Sequence, residues 1–381
     1  MSDPANGFEF LEQLRQRTGK QSRNYNDYFS YLDFKARKKR VPILGQFELS
    51  PKCNLNCKMC YVHLDADQLS GRSVLPVETW KDLMRQAWEA GMLQATLTGG
   101  ECLMYPGFEE LFLYLHSLGC EVAVLTNGVL LDEERIRFFK EHKPNKLQIT
   151  LYGQNDDVYE RVTGRRVFKT VDANIRKASD AGLPVLIAIT PNKYLGEDVF
   201  ELLEFAKGYG KSIAVSHSVF SPREETGRSA QHDELPIDLQ VRVEQLVNAM
   251  HGIEPKEIDA DSLPPYGSNV KECAECGLSC AGGLSSFTID WKGTLSPCSR
   301  LNVVHADALH LGFRTAWEQV SEKAANWPRV PACEGCAYRD VCYNCAAAML
   351  QFAQPGQQPI ALCEQTRYYV QHGVTRLPDC D

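Results

Sequence analysis

The 381-residue sequence predicts an α/β fold: a parallel sheet of six βα units forming an open, partial (β/α)6 barrel, followed by a small cysteine-rich domain. Three observations predict it. Between residue 46 and about residue 252, strand-sized apolar runs alternate with helix-length amphipathic stretches. Beyond Gly252 the texture changes to linker-like Glu254-Pro255 and Leu263-Pro264-Pro265-Tyr266-Gly267 and then to short turns. Of fifteen cysteines, ten lie from Cys273 onward. The division read from these changes is a helical extension over 1–45, the barrel over 46–255 and the cysteine-rich domain over 256–381.

Each element has its own signal. Phe8, Leu11 and Leu14 have helical spacing, as do Tyr28, Tyr31, Leu32 and Phe34. The basic run Lys35–Arg40 reads as a solvated helix end. Gln46–Ser50 is the first strand. Pro76 opens a helix whose Val77, Trp80, Leu83, Met84, Ala87 and Trp88 form an apolar stripe, and Gly91 ends it. Strands follow at Leu93–Thr98, Glu121–Thr126, Lys146–Tyr152, Pro184–Thr190 and Lys211–Val219. Helices are expected over Gly107–Leu118, Asp132–Glu141, Phe168–Ala181, Glu197–Gly208 and Ile237–His251. Six such units are two short of a closed eight-unit barrel. In the last region the one strong strand pair is Ser286–Asp290 with Thr294–Ser296, joined across Trp291-Lys292-Gly293. A region this poor in periodic apolar faces needs inorganic staples.

Composition narrows the function. Forty-one Lys+Arg against 49 Asp+Glu give a net charge of −8, which argues against a general affinity for nucleic acid or anionic membrane. No apolar run reaches membrane-span length, and Met1-Ser2-Asp3-Pro4 has neither the basic start nor the apolar core of a signal peptide. The expected setting is cytoplasmic and reducing, where clustered cysteines mean metal rather than disulfides.

Cys53, Cys57 and Cys60 stand as C-x3-C-x2-C in the loop after the first strand, at the active-site end of a β/α barrel. Three thiolates with no fourth nearby suit a cubane that keeps one iron open, whereas a structural zinc site wants four ligands. The second strand ends Thr98-Gly99-Gly100-Glu101, the third Thr126-Asn127-Gly128, and the fourth carries Thr150. All lie at C-terminal strand ends.

Together these residues resemble the radical SAM superfamily over roughly residues 44–252. The resemblance implies that Cys53, Cys57 and Cys60 bind a [4Fe-4S] cluster whose open iron takes S-adenosylmethionine (SAM). Reductive cleavage of SAM then gives a 5′-deoxyadenosyl radical that abstracts a substrate hydrogen atom. It further implies SAM contacts for Met59, for Gly99, Gly100 and Glu101 at the methionine ammonium, and for Thr150. Asn127 is a further candidate. Arg161 is read either as a partner of the SAM carboxylate or as a surface salt bridge, and Asn192 as a cap. One departure stands out: the family usually has Pro after Gly-Gly-Glu, and here the residue is Cys102. Its thiol is read either as a hydrogen-atom donor or as a small buried residue; Cys120 and Cys380 are read as non-functional.

Cys280, Cys298, Cys333, Cys336, Cys342, Cys345 and Cys363 form a second ladder, with Cys273 or Cys276 upstream. Taken alone it fits a zinc ribbon or two four-thiolate clusters. After such a core it resembles a SPASM domain with two auxiliary [4Fe-4S] clusters, although Cys342 and Cys345 are separated by two residues rather than three. That pattern implies Cys280, Cys298 and Cys345, with Cys273 or Cys276, at an inner cluster, and Cys333, Cys336, Cys342 and Cys363 at an outer one. The expected cofactors are therefore three [4Fe-4S] clusters and SAM.

The leading functional reading is a peptide-modifying maturase that oxidises, cross-links or epimerises its substrate. The resemblance also implies a flavodoxin- or ferredoxin-like electron donor. About 45 residues precede the first strand, too few for the winged-helix leader-binding domain of many such enzymes, so either a separate protein is expected to present the peptide or no leader is expected, which weighs against the peptide reading. The runner-up is a small-molecule dehydrogenase or carbon-skeleton enzyme, and the third reading a zinc-stabilised, non-redox binding protein. Sulfatase maturation ranks low because Ser299 stands where those enzymes have Asp. Ser221-Pro222-Arg223-Glu224-Glu225, beyond the sixth strand, reads as a solvated turn or a substrate loop.

Overall fold

A computed structural model describes residues 25–62, 64, 66–69, 72–223, 233–254, 257–265 and 277–375. The expected helix around Phe8–Leu14, Cys273, Cys276 and Cys380 lie outside these residues, as do Glu224 and Glu225. The described chain runs α1 (Tyr25–Lys39), β1 (Leu44–Glu48), α2 (Val77–Glu89), β2 (Gln94–Thr98), α3 (Phe108–Ser117), β3 (Glu121–Thr126), α4 (Glu133–Glu141) and β4 (Lys146–Thr150). It continues through α5 (Asp156–Thr163), α6 (Phe168–Asp180), β5 (Val185–Ile189), α7 (Asp198–Lys207), β6 (Ser212–Val215) and α8 (Ile237–Met250). Then come β7 (Ser286–Ile289), β8 (Thr294–Ser296), β9 (Ala306–Asp307), α9 (Phe313–Ala325) and α10 (Ile360–Gln371). Among the described residues, no helix is long and apolar enough to cross a membrane.

One sheet organises the molecule, in the order β6-β5-β4-β3-β2-β1-β7-β8-β9. β1 to β6 are parallel neighbours in chain order, and Glu48↔Thr98, Thr126↔Ile149 and Thr150↔Ala188 align their C-terminal ends. The loops leaving β1 to β5 therefore open along one edge. β7 pairs in parallel with β1, so the hairpin of the cysteine-rich region continues the same sheet across the expected division near residue 255.

Alternation along the strands explains the layering. Ala95 and Leu97, Val122 and Val124, and Leu147 and Ile149 are fully buried, whereas Thr96, Thr98, Gln148 and Thr150 share the other, half-buried face. α2 buries Trp80, Leu83, Met84 and Ala87. An isolated helix of its length is marginal in water, while each such large apolar side chain contributes roughly 2–3 kcal/mol on burial, so packing decides its stability. Trp88, expected in that stripe, is 43% exposed because it sits one position off the buried face.

Three further differences concern short or late elements. β6 covers only 212–215 of the expected strand. α5 is an additional two-turn helix, with Asn155 capping its N-terminus and Gly164 its C-terminus. α9 buries Phe313, Ala316, Trp317, Val320 and Ala324, so the cysteine-rich region has an amphipathic helix of its own.

Candidate functional site

The loop from Pro51 to Tyr61 leaves β1 at the common edge, and its path is set from two sides. On one side Gly100 N–H donates to Ser50 O (2.8 Å) and Glu101 N–H to Lys52 O (2.9 Å). A Cβ on Gly99 would lie 2.4 Å from Ser50 O, and one on Gly100 would lie 2.4 Å from Lys52 O. Gly99 also has φ +141°. The two glycines are thus required by the cysteine loop's own backbone. On the other side Asn56 N–H donates to Thr163 O (2.9 Å) and Lys58 N–H to Val162 O (3.0 Å), so the end of α5 forms the second wall.

Glu101 is 1% exposed. Its carboxylate accepts from Thr126 Oγ1 (2.8 Å), Asn127 N–H (2.7 Å) and Leu103 N–H (3.0 Å). Burial still holds its carboxyl above the usual range, against the pull of these donors. The residue expected at a substrate ammonium therefore also ties the end of β2 to the end of β3.

The loop brings the three cysteines close enough that Cys60 raises the pKa of Cys53 and Cys57, and Cys53 that of Cys57. Burial pushes the Cys53 thiol up to about 12 and the Cys57 thiol well above its ordinary value. Donors face these sulfurs. Leu55 N–H lies 3.4 Å from Cys53 Sγ, Asn127 Nδ2 lies 3.6 Å from it, and the Tyr152 hydroxyl hydrogen-bonds Cys57. Asn127 Nδ2 also donates to Asn54 Oδ1 (2.7 Å). Buried, mutually repelling thiols with N–H and O–H groups aimed at sulfur fit a cationic cluster, whose charge offsets what burial costs the thiolates. Among the described residues, no three His, Cys, Asp or Glu side chains converge as one metal ion requires. The ligands of a four-iron cluster bind different irons.

The remaining expected site residues divide. Met59 packs into the main core at 7% exposure. Thr150 ends β4 on its half-buried face. Asn192 is a buried cap: its Oδ1 accepts from Tyr194 N–H (3.0 Å) and Leu195 N–H (3.2 Å). Arg161 pairs with Asp198 and donates through Nε to Tyr194 O (2.7 Å), the contacts that the surface-ion-pair alternative describes. Cys102 has no exposed surface, packs in the main core and lies 3.2 Å from Leu125 O. These surroundings are the ones the small-buried-residue alternative describes. Cys120 is likewise buried.

The second ladder forms two groups. Cys280, Cys298 and Cys345 lie close enough that Cys345 raises the pKa of Cys280 and Cys298, and Cys280 that of Cys298. Cys336 likewise raises the pKa of Cys333, Cys342 and Cys363, and these four cysteines wall one cavity with Tyr338 and Thr366. Thr366 Oγ1 lies 3.4 Å from Cys342 Sγ and Gln358 Nε2 lies 3.6 Å from Cys363 Sγ, so this group also has donors facing sulfur.

Four contributors are absent from the motif reading. Tyr152 reaches Cys57, and α5 carries the loop; the Asn155…Gly164 capping pattern is the signal for α5. Glu48, 1% exposed, and Arg223 form a buried ion pair over the loop. Arg223 thus belongs to a built contact and not to a solvated turn.

A parallel βα sheet with three cysteines at its C-terminal edge, braced by a Gly-Gly-Glu turn, defines the class of a radical SAM domain. Residues 47–207 match the model of the Radical SAM superfamily, and the chain contains a domain of that superfamily. It is 30% identical over 264 residues to the sporulation killing factor maturation protein SkfB of Bacillus subtilis (strain 168), which covers 68% of this chain and 60% of SkfB. The chain thus spans less than two thirds of that relative's length. It is 26% identical over 327 residues to the AdoMet-dependent heme synthase of Methanosarcina barkeri (strain Fusaro / DSM 804), covering 81% of this chain and 92% of the synthase. Among solved structures, Streptococcus suis SuiB bound to S-adenosylmethionine superposes with a TM-score of 0.65 at 17% identity, covering 93% of this chain and 86% of SuiB. SuiB is also solved bound to the precursor peptide SuiA, with the same TM-score. At that identity the likeness shows the fold.

Proposed function

We propose that the chain is a radical SAM enzyme that removes a hydrogen atom from a peptide during its maturation. The observation that carries this is the Cys53–Cys57–Cys60 loop, fixed between the Gly99-Gly100-Glu101 turn and α5, with Asn127, Leu55 and Tyr152 directed at its sulfurs. When bound, the cluster and SAM supply an electron and a 5′-deoxyadenosyl radical that takes the substrate hydrogen.

The chain's own residues shape and polarise the site. Cys53, Cys57 and Cys60 hold the cluster; Gly99 and Gly100 let the loop approach β2; Glu101 locks β2 to β3. Thr96, Thr98, Gln148 and Thr150 line the half-buried face and offer hydroxyl and amide groups to SAM. In this reading Cys280, Cys298 and Cys345, with Cys273 or Cys276, hold one auxiliary [4Fe-4S] cluster, and Cys333, Cys336, Cys342 and Cys363 hold another. Held there, such clusters would supply an acceptor for the electron left after hydrogen abstraction and proton loss. A flavodoxin- or ferredoxin-like protein supplies electrons, and a separate protein presents the peptide.

The peptide assignment is supported by SkfB, a maturation protein, and by SuiB with its bound precursor. One observation favours a second reading, a small-molecule substrate: the heme synthase aligns over 92% of its length. Incubation with SAM, dithionite and peptides encoded beside the gene should give a loss of two mass units or deuterium uptake. Conversion of a metabolite from the neighbouring genes, with every peptide unchanged, would establish the second reading instead.

A further inference from the structure

The contact made by Arg223 extends beyond its ion pair. Its guanidinium grips both carboxylate oxygens of Glu48 at the end of β1. Its Nε donates to Ser299 O (2.9 Å), and its backbone N–H donates to Tyr61 O (3.2 Å). Its plane lies over the Tyr61 ring, 5.3 Å from the centroid. The circle closes with Tyr61 Oη 3.2 Å from Ser299 Oγ. Tyr61 directly follows Cys60 and Ser299 directly follows Cys298, so one side chain joins the two cysteine-bearing segments across 238 residues of sequence. Glu48 is 1% exposed and the Arg223 side chain 17%, and a buried bidentate pair has one geometry rather than many.

We propose that Arg223 is a positioning residue that locks the segment after Cys60 to the segment after Cys298, so that both move as one unit when SAM binds. The proposal rests on the radical SAM reading. By linkage, a ligand that orders the first segment must then order the second. Lysine keeps a positive charge against Glu48 but has no planar fork with which to hold Glu48 and Ser299 O together. Arg223→Lys therefore preserves folding while releasing the second segment.

The test is hydrogen exchange on the iron-loaded full chain, with and without SAM, comparing the parent and Arg223→Lys. In the parent, SAM should slow exchange over 53–62 and also over 298–301, each by about fivefold or more. In Arg223→Lys the protection of 53–62 should remain and that of 298–301 should vanish. Equal SAM protection of 298–301 in both proteins would overturn the proposal. So would protection of 53–62 alone in the parent, which leaves the radical SAM reading standing. A parent in which SAM protects neither segment overturns both. As a second readout, Glu48→Gln combined with Arg223→Met removes the buried charges together and should fold, yet lose the same SAM-dependent protection at 298–301.

Discussion

The triad loop and the four-cysteine group around Cys333 hold similar ligands by different means. The triad loop is hydrogen-bonded to remote parts of the sheet: Ser50 and Lys52 to the β2 turn, Asn56 and Lys58 to the end of α5. The backbone of the Cys333 group is held by bonds within a few residues, such as Cys336 N–H to Cys333 O and Cys342 N–H to Tyr338 O, while its longer-range bonds, Thr366 Oγ1 to Cys342 Sγ and Tyr338 Oη to Pro264 O, come from side chains. Its apolar support is the small cluster of Leu263, Tyr338 and Val370. On the reading proposed above, the fold shapes the first site before metal arrives, whereas the second would depend on metal to complete its core.

The largest expected effect tests the ligand sets. Cys53, Cys57 and Cys60 replaced together by Ala should abolish SAM cleavage while lowering iron from about twelve to about eight per chain, from three four-iron clusters to two. Continued 5′-deoxyadenosine formation would remove the triad from the mechanism. Next comes removal of iron by a chelator. Exchange over 331–345 should accelerate on the order of 100-fold, while 44–61 and 94–150 keep most of their protection. Equal loss in both regions would erase the contrast drawn above.

Gly100→Ala should cost about 1–3 kcal/mol, because its Cβ meets the Lys52 and Pro51 carbonyls at 2.4 and 2.7 Å. The loss should show as a lower Tm and as four irons missing at the triad, with the other eight retained.

The smallest effect lies between the two regions. Glu234 lines a cavity with Tyr343, Phe352 and Tyr369, and burial raises its carboxyl to about 7. The folded state therefore binds a proton more tightly than the unfolded one, and stability falls as pH rises from about 4.5 to 7. Glu234→Gln should raise Tm relative to the parent at pH 8 and leave it nearly unchanged at pH 4.5. A gain that is the same at both pH values would show that the carboxylate's charge is not the cause.

The periodic half of the chain was legible because each βα unit repeats a local pattern, and the Cys53–Cys60 spacing is local too. What escaped has other causes. α5 spans only two turns, so its Val158, Tyr159 and Val162 make a faint stripe, and the caps at Asn155 and Gly164 carry most of the signal. α9 was obscured by the cysteine-rich texture around it, although Phe313, Ala316, Trp317 and Val320 have helical spacing. Nothing local in Ser221-Pro222-Arg223 distinguishes a solvated turn from a buried clamp, because its partner Glu48 is 175 residues away. The close approach of the cysteine loop's own backbone to Gly99 and Gly100 is likewise visible only in three dimensions.

The parallel pairing of Leu44–Phe47 with Ser286–Ile289 bears on how this protein can be divided. A fragment ending at residue 254 would keep every residue of the radical SAM core but leave the outer side of β1 without its hydrogen-bonding neighbour. An uncovered edge of that kind is a template for another strand. The shortened chain would therefore tend to self-associate whether or not it carried iron, and a loss of activity on truncation would not by itself measure what the cysteine-rich region contributes.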